Sequence, residues 1–178
     1  RQMCIRDRSG IDSICYIDDF KDILSSIATK VDTFYINKNE HYRANSPVET
    51  REDRFISWLL KKYPAHNVAK SNPILQRQRS IKHPDEIDQI KKACDITRKG
   101  FNRVLEFIKP NVWEYEIEAE FIHEFINSSS KGFAYSPIIA SGNDNNVLHY
   151  IKNNKQCKSG ELILMDVGAE YGNYSSDM

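Results

Sequence analysis

The sequence carries no charge excess of either sign: 25 lysines and arginines balance 25 aspartates and glutamates over 178 residues. That balance excludes the basic footprint by which proteins hold nucleic acid or anionic membranes, so neither is an expected partner. No apolar run approaches the ~20 residues needed to cross a bilayer, and no signal-peptide core is evident. Only four cysteines occur, Cys4, Cys15, Cys94 and Cys157, without CxxC spacing. They form neither a disulfide framework nor a zinc motif, so free thiols in a reducing cytoplasm are the expectation. The rest is ordinary for a globular protein, 40% hydrophobic and 28% charged, and suffices for one domain or two small ones.

Residues 1–8 fit no periodic element; they resemble translated adapter sequence and are set aside as non-native. Asp18 or Asp19 can cap a helix reaching Ala28, with Phe20, Ile23, Leu24 and Ile27 on one face. Residues 31–36 read as a short strand and 50–63 as a second helix ended by Pro64. A basic stretch with Arg77, Arg79 and Lys82 follows Asn72-Pro73 and reads as a junction. Pro84 with Asp85 and Glu86 then opens a long helix to Pro110, in which Cys94 falls within the apolar pattern as a packing residue. A further helix spans about 113–128 with Ile117, Phe121, Ile122 and Phe125 at core spacing. Its Glu114, Glu116, Glu118, Glu120 and Glu124 alternate around the helix and read as a solvated face, and His123 as a surface or packing residue. Residues 133–140 and 147–151 read as strands, with His149 inside the second.

The closing segment is the most informative. Leu162-Ile-Leu-Met165 reads as a mostly buried strand ending on Asp166, and Gly172-Asn173 is turn chemistry. A tight hairpin with Tyr171 and Gly172 at its tip would set Asp166 opposite Asp177, with Cβ atoms about 4.5–5.5 Å apart. Two carboxylates so close repel unless one keeps its proton or a cation neutralises both. All-oxygen ligation favours hard divalent ions such as Mn²⁺ or Mg²⁺, and this separation suits a two-metal site. Spacing alone leaves open a hairpin with one turn-forming and one surface aspartate. A one-residue bulge would make the contact diagonal.

The motifs Ser141-Gly-Asn-Asp-Asn-Asn-Val-Leu-His-Tyr150, Leu162-Ile-Leu-Met-Asp-Val-Gly-Ala-Glu-Tyr171 and Tyr174-Ser-Ser-Asp177 resemble, in order and spacing, the metal-binding core of Xaa-Pro aminopeptidases. That family, also called aminopeptidase P, belongs to the pita-bread metallopeptidases, with prolidase and methionine aminopeptidase. The resemblance implies an α/β (α+β) chain: the C-terminal part of a creatinase-like N-terminal α/β domain over 9–78, then the first part of a pita-bread catalytic domain over 79–178. It implies that Asp166 is the first aspartate ligand and Asp177 the second, which bridges two divalent ions, Mn²⁺ by expectation. His149 matches a histidine that contacts substrate near the scissile bond. Tyr135, in Phe133-Ala-Tyr-Ser-Pro-Ile-Ile-Ala-Ser-Gly142, matches a tyrosine near the metal centre.

The implied substrates are peptides with an N-terminal Xaa-Pro, and the implied assembly of the complete protein is a homo-oligomer. The family's remaining ligands, one histidine and two glutamates, match nothing in these residues. The chain therefore reads as a fragment at both ends, inactive alone. Prolidase activity, confined to dipeptides, and a non-catalytic pita-bread module that binds peptides or proteins are the alternatives.

Overall fold

A computed structural model describes residues 9–38 and 48–178; the reading of residues 1–8, including Cys4, lies outside them. The chain divides between Ile81 and Lys82 into two compact units. No helix among the described residues is long and apolar enough to cross a membrane.

In the first unit a 3₁₀ turn (Ile17–Asp19) leads into α1 (Phe20–Ala28), followed by β1 (Thr33–Ile36) and α2 (Arg51–Lys62). The start of α2 is fixed by a capping box in which Thr50 accepts from Asp53 N and the Asp53 carboxylate accepts from Thr50 N. This satisfies two donors that the first turn would leave orphaned. β1 pairs in parallel with β2 (Asn67–Lys70), Phe34 against Val68. Parallel pairing requires a crossover, and α2 lies within it. Ala28, Phe34 and Leu59 form the buried centre, packed by Leu24, Phe55, Trp58 and Val68. The basic stretch read as a junction leads to the boundary between the units and is mostly helical, α3 (Asn72–Ser80), in which Pro73 occupies the first turn where a missing N–H costs nothing.

The second unit opens with α4 (Pro84–Phe107), where the Glu86 carboxylate reaches back to His83 N at 2.6 Å. After α5 (Glu114–Asn127) come β3 (Ile138–Ser141), a 3₁₀ turn (Gly142–Asn146), β4 (Ile163–Asp166), β5 (Glu170–Tyr171) and β6 (Tyr174–Ser175). The buried face of α4 is Ala93, Ile96, Thr97, Gly100 and Val104. That stripe runs at 3–4 residue spacing. It leaves Cys94 exposed and Leu105 65% exposed, so Cys94 does not pack as its pattern implied. On α5, Ile117, Phe121 and Phe125 are fully buried, whereas Ile122 is 41% exposed because the buried stripe steps every fourth residue.

Phe101 meets Phe121 edge-on at 5.0 Å and Phe125 meets Phe133 at 5.1 Å. Each buried ring contributes roughly 1.5–3 kcal/mol. These rings form the floor against which Ile139, Val167 and Ala169 pack.

Three strand expectations change. Only Ile138–Ser141 of the stretch 133–140 is strand, with Phe133 making a single bridge to Ala169. Residues 147–151 form a turn, and His149 takes φ +53° in the left-handed region. β4 pairs antiparallel with β3, Ile138 against Asp166, but Leu162 is 80% and Leu164 40% exposed, so the strand is not mostly buried. Its alternate residues face away from the floor, as strand periodicity dictates.

Candidate metal centre

The closing hairpin pairs Glu170 with Ser175 and Tyr171 with Tyr174 around Gly172-Asn173. Both turn residues have positive φ, +59° and +67°, which matches the right-handed twist of a two-residue hairpin. Tyr171 thus lies in the strand and Asn173 joins Gly172 at the tip. Hydrogen bonds from Ser176 N to Ala169 O (3.0 Å) and from Val167 N to Met178 O (3.0 Å) carry the register onward. Asp177 therefore lies alongside Gly168 rather than opposite Asp166. Because side chains alternate along a strand, Asp166 and Gly168 share a face, and the two aspartates meet diagonally.

Their meeting point is Tyr135. Its hydroxyl donates to Asp177 Oδ1 at 2.8 Å, and the Asp166 carboxylate lies close enough to act on it electrostatically. Burial, then these two carboxylates, push the Tyr135 hydroxyl well above the usual phenol range. Asp166 is half-buried and Asp177 exposed. Asp177 also borders an open cleft of about 560 Å³ lined by Cys94, Thr97, Arg98, Phe101 and Met165 among others.

Gly168 makes this geometry possible. The Ser176 carbonyl turns toward it, so close that a Cβ there would lie 2.1 Å from the oxygen. That turn takes the carbonyl away from Ala169 N, which instead donates to Thr97 Oγ1 and Ser176 Oγ, both at 2.9 Å. The two hydroxyls are themselves bonded at 2.6 Å, so α4 holds the strand that carries Asp177 through a buried polar contact. Thr97 did not stand out in the sequence, and its signal was a small hydroxyl residue on an otherwise apolar helical face; Ser176 lay inside the Tyr174-Ser-Ser-Asp177 motif without a role of its own.

His149 is not hydrogen-bonded into this cluster. It is exposed, and among the described residues it hydrogen-bonds to none of Tyr135, Asp166 and Asp177. The turn that bears it is anchored by Glu114, which sequence reasoning placed on a solvated face. Glu114 is fully buried at the first position of α5. Its Oε1 accepts from Ser141 N and Oγ, each at 2.8 Å, and its Oε2 from Tyr150 Oη at 2.8 Å and Lys155 N at 3.0 Å.

Among the described residues no group of three or more histidines, cysteines, aspartates or glutamates converges as a metal cage. Asp166 and Asp177 supply two hard oxygen donors near one hydroxyl, a donor set that fits part of the shell of a hard divalent cation.

The chain is 26% identical to Xaa-Pro aminopeptidase of Escherichia coli (strain K12) over 97% of its own length and 39% of that protein's. It is 28% identical to human Xaa-Pro aminopeptidase 3 over 96% of its length and 33% of that protein's. Among solved structures, a candidate aminopeptidase P from Bacillus anthracis superposes with a TM-score of 0.86 at 32% identity, covering 95% of this chain and 40% of that one. The chain thus has the mixed helix and strand fold of aminopeptidase P structures, consistent with the pita-bread class, and spans about two-fifths of such proteins. Metallopeptidase family M24 matches residues 88–178, and the chain belongs to that family.

Proposed function

We propose that these residues serve a metal-dependent aminopeptidase that releases the N-terminal residue from peptides with proline second. The observation that supports it most is the hydrogen bond from Tyr135 to Asp177, with Asp166 on the neighbouring strand near enough to act on the same hydroxyl. In this reading the two aspartates hold two divalent ions, Mn²⁺ as the family resemblance implies, together with donors that this chain does not bring to the site. Such ions would lower the pKa of a water and polarise the scissile carbonyl.

The chain's own residues do the positioning. Tyr135 donates to Asp177 and so orients that carboxylate beside Asp166. His149, exposed on its turn, offers a ring N–H to the oxygen on which negative charge develops in the transition state. The complete protein is taken to act as a homo-oligomer on Xaa-Pro peptides.

The test is hydrolysis of an Xaa-Pro dipeptide and an Xaa-Pro-Yaa tripeptide by a metal-loaded protein containing residues 1–178 and the rest of its catalytic domain. Cleavage of the tripeptide, lost in Asp166→Ala and Asp177→Ala, is expected. Cleavage of the dipeptide alone would mean a prolidase, and cleavage of neither a non-catalytic module. The 178-residue chain by itself should bind Mn²⁺ only weakly, since two carboxylates fall short of the ~6 donors the ion prefers; micromolar stoichiometric binding by calorimetry would contradict this.

A further inference from the structure

We infer that Glu114 is a positioning residue for His149, its carboxylate tying both ends of the 141–155 segment, and the tyrosine beside His149, to the first turn of α5. The inference rests on the role given to His149 above. Between Ser141 and Lys155 the backbone forms a 3₁₀ turn and no strand, so no sheet ladder holds it. Its two ends and Tyr150 meet on one side chain, while Asn145 Nδ2 donates to Leu162 O at 3.0 Å and Asn153 Nδ2 to Glu118 elsewhere along it. Ser141 N and Oγ bind one carboxylate oxygen, Tyr150 Oη and Lys155 N the other. Lys155 O returns a bond by accepting from Glu114 N at 3.0 Å. Lys155 Nζ closes the segment on itself, donating to Ser141 O at 3.0 Å and lying 3.6 Å from Asp144.

His149 sits one residue from Tyr150, in a left-handed conformation that a non-glycine residue holds only where its surroundings impose it. Val147, Leu148 and Ile151 around it are exposed, so apolar packing supplies little of that constraint. Tyr150, 5% exposed, is the inward anchor of the turn, and its hydroxyl ends on Glu114.

The arrangement is selective for a carboxylate. Each oxygen of Glu114 receives one backbone N–H, and a backbone N–H cannot rotate to become an acceptor. Glutamine, in either orientation, would set its NH₂ against one of those two N–H groups. Glu114→Gln must therefore lose the bond to either Ser141 N or Lys155 N and loosen that end of the segment, although it barely changes side-chain volume.

The test has two arms. In the full chain, hydrogen–deuterium exchange of Glu114→Gln should accelerate by about tenfold or more over residues 141–155, the scale of losing a buried hydrogen bond, and stay unchanged in the middle of α4 and α5. In the metal-loaded enzyme, kcat should fall by about tenfold or more with KM little changed, and the loss should not multiply with that of His149→Ala. If Glu114→Gln does not fold, Tyr150→Phe carries both arms at about threefold amplitude, having removed one donor.

Unchanged exchange over 141–155, acceleration spread evenly over the helices, or losses that multiply with His149→Ala would each overturn the inference. An unchanged kcat in His149→Ala would instead remove the role given to His149 above, while the exchange arm still decides whether Glu114 holds the turn.

Discussion

The Ser176 carbonyl oxygen fills the space where a Cβ on Gly168 would stand, 2.1 Å from its ideal position. This contact sets how closely the strand after β6 approaches the strand after β4, and so brings Asp177 within reach of the tyrosine hydroxyl that Asp166 also acts on. The clash is backbone against side chain, with no flexible end to move aside.

Gly168→Ala is accordingly expected to destabilise the protein by at least about 1–3 kcal/mol, the usual scale of overpacking. It should also part the two carboxylates. Thermal unfolding reads the first effect and loss of metal affinity in the complete enzyme the second; a Tm equal to wild type would show that the strands separate at no cost.

Thr97 and Ser176 share the N–H of Ala169. Thr97→Val keeps the shape and leaves that amide one acceptor, so a cost of about 1 kcal/mol is expected. Thr97→Val with Ser176→Ala orphans the amide and should cost more than the single changes together. Urea unfolding of the three variants decides, and strict additivity would deny that the hydroxyls back each other up.

Burial first, and the Glu114 carboxylate next, push the Tyr150 hydroxyl up to about 12. A phenol whose folded pKa exceeds its unfolded value contributes stability that is complete below about pH 10, and is lost as pH rises toward the folded value. Wild type should therefore lose more stability than Tyr150→Phe between about pH 10 and about pH 12. Parallel pH profiles of denaturant midpoints for the two proteins would count against it.

Cys15 and Cys94 are exposed free thiols, while Cys157 is buried and its thiol is pushed up chiefly by that burial. The thiolate is the reactive form, so accessibility and pKa act in the same direction. A Cys4→Ser protein should show two fast thiols with a chromogenic disulfide and release the third only on unfolding. A fast third thiol would mean that the core around Cys157 opens readily.

The long helices were legible because α4 and α5 each carry a strong start signal and an apolar stripe, and local sequence dominates both. Asp166, Asp177 and Tyr135 were legible through their motifs, and Tyr135 and Asp177 meet in a hydrogen bond. The register of the hairpin was not, since a shift of the turn by one residue exchanges an opposite pair for a diagonal one while leaving the composition unchanged. β2 and α3 escaped notice because each is short and weakly patterned, and their neighbours in unit 1 decide their conformation.

By itself the sequence determined the family-level chemistry: two acidic residues at the end of a strand and hairpin, a nearby tyrosine, and helices to support them. Only the tertiary structure decided which carboxylate is buried. Glu114 looks like its four companion glutamates along α5, yet it alone faces Ser141, Tyr150 and Lys155, whose positions come from later in the chain. Burial of a charge depends on donors brought from far away in sequence, and helical periodicity cannot reveal them.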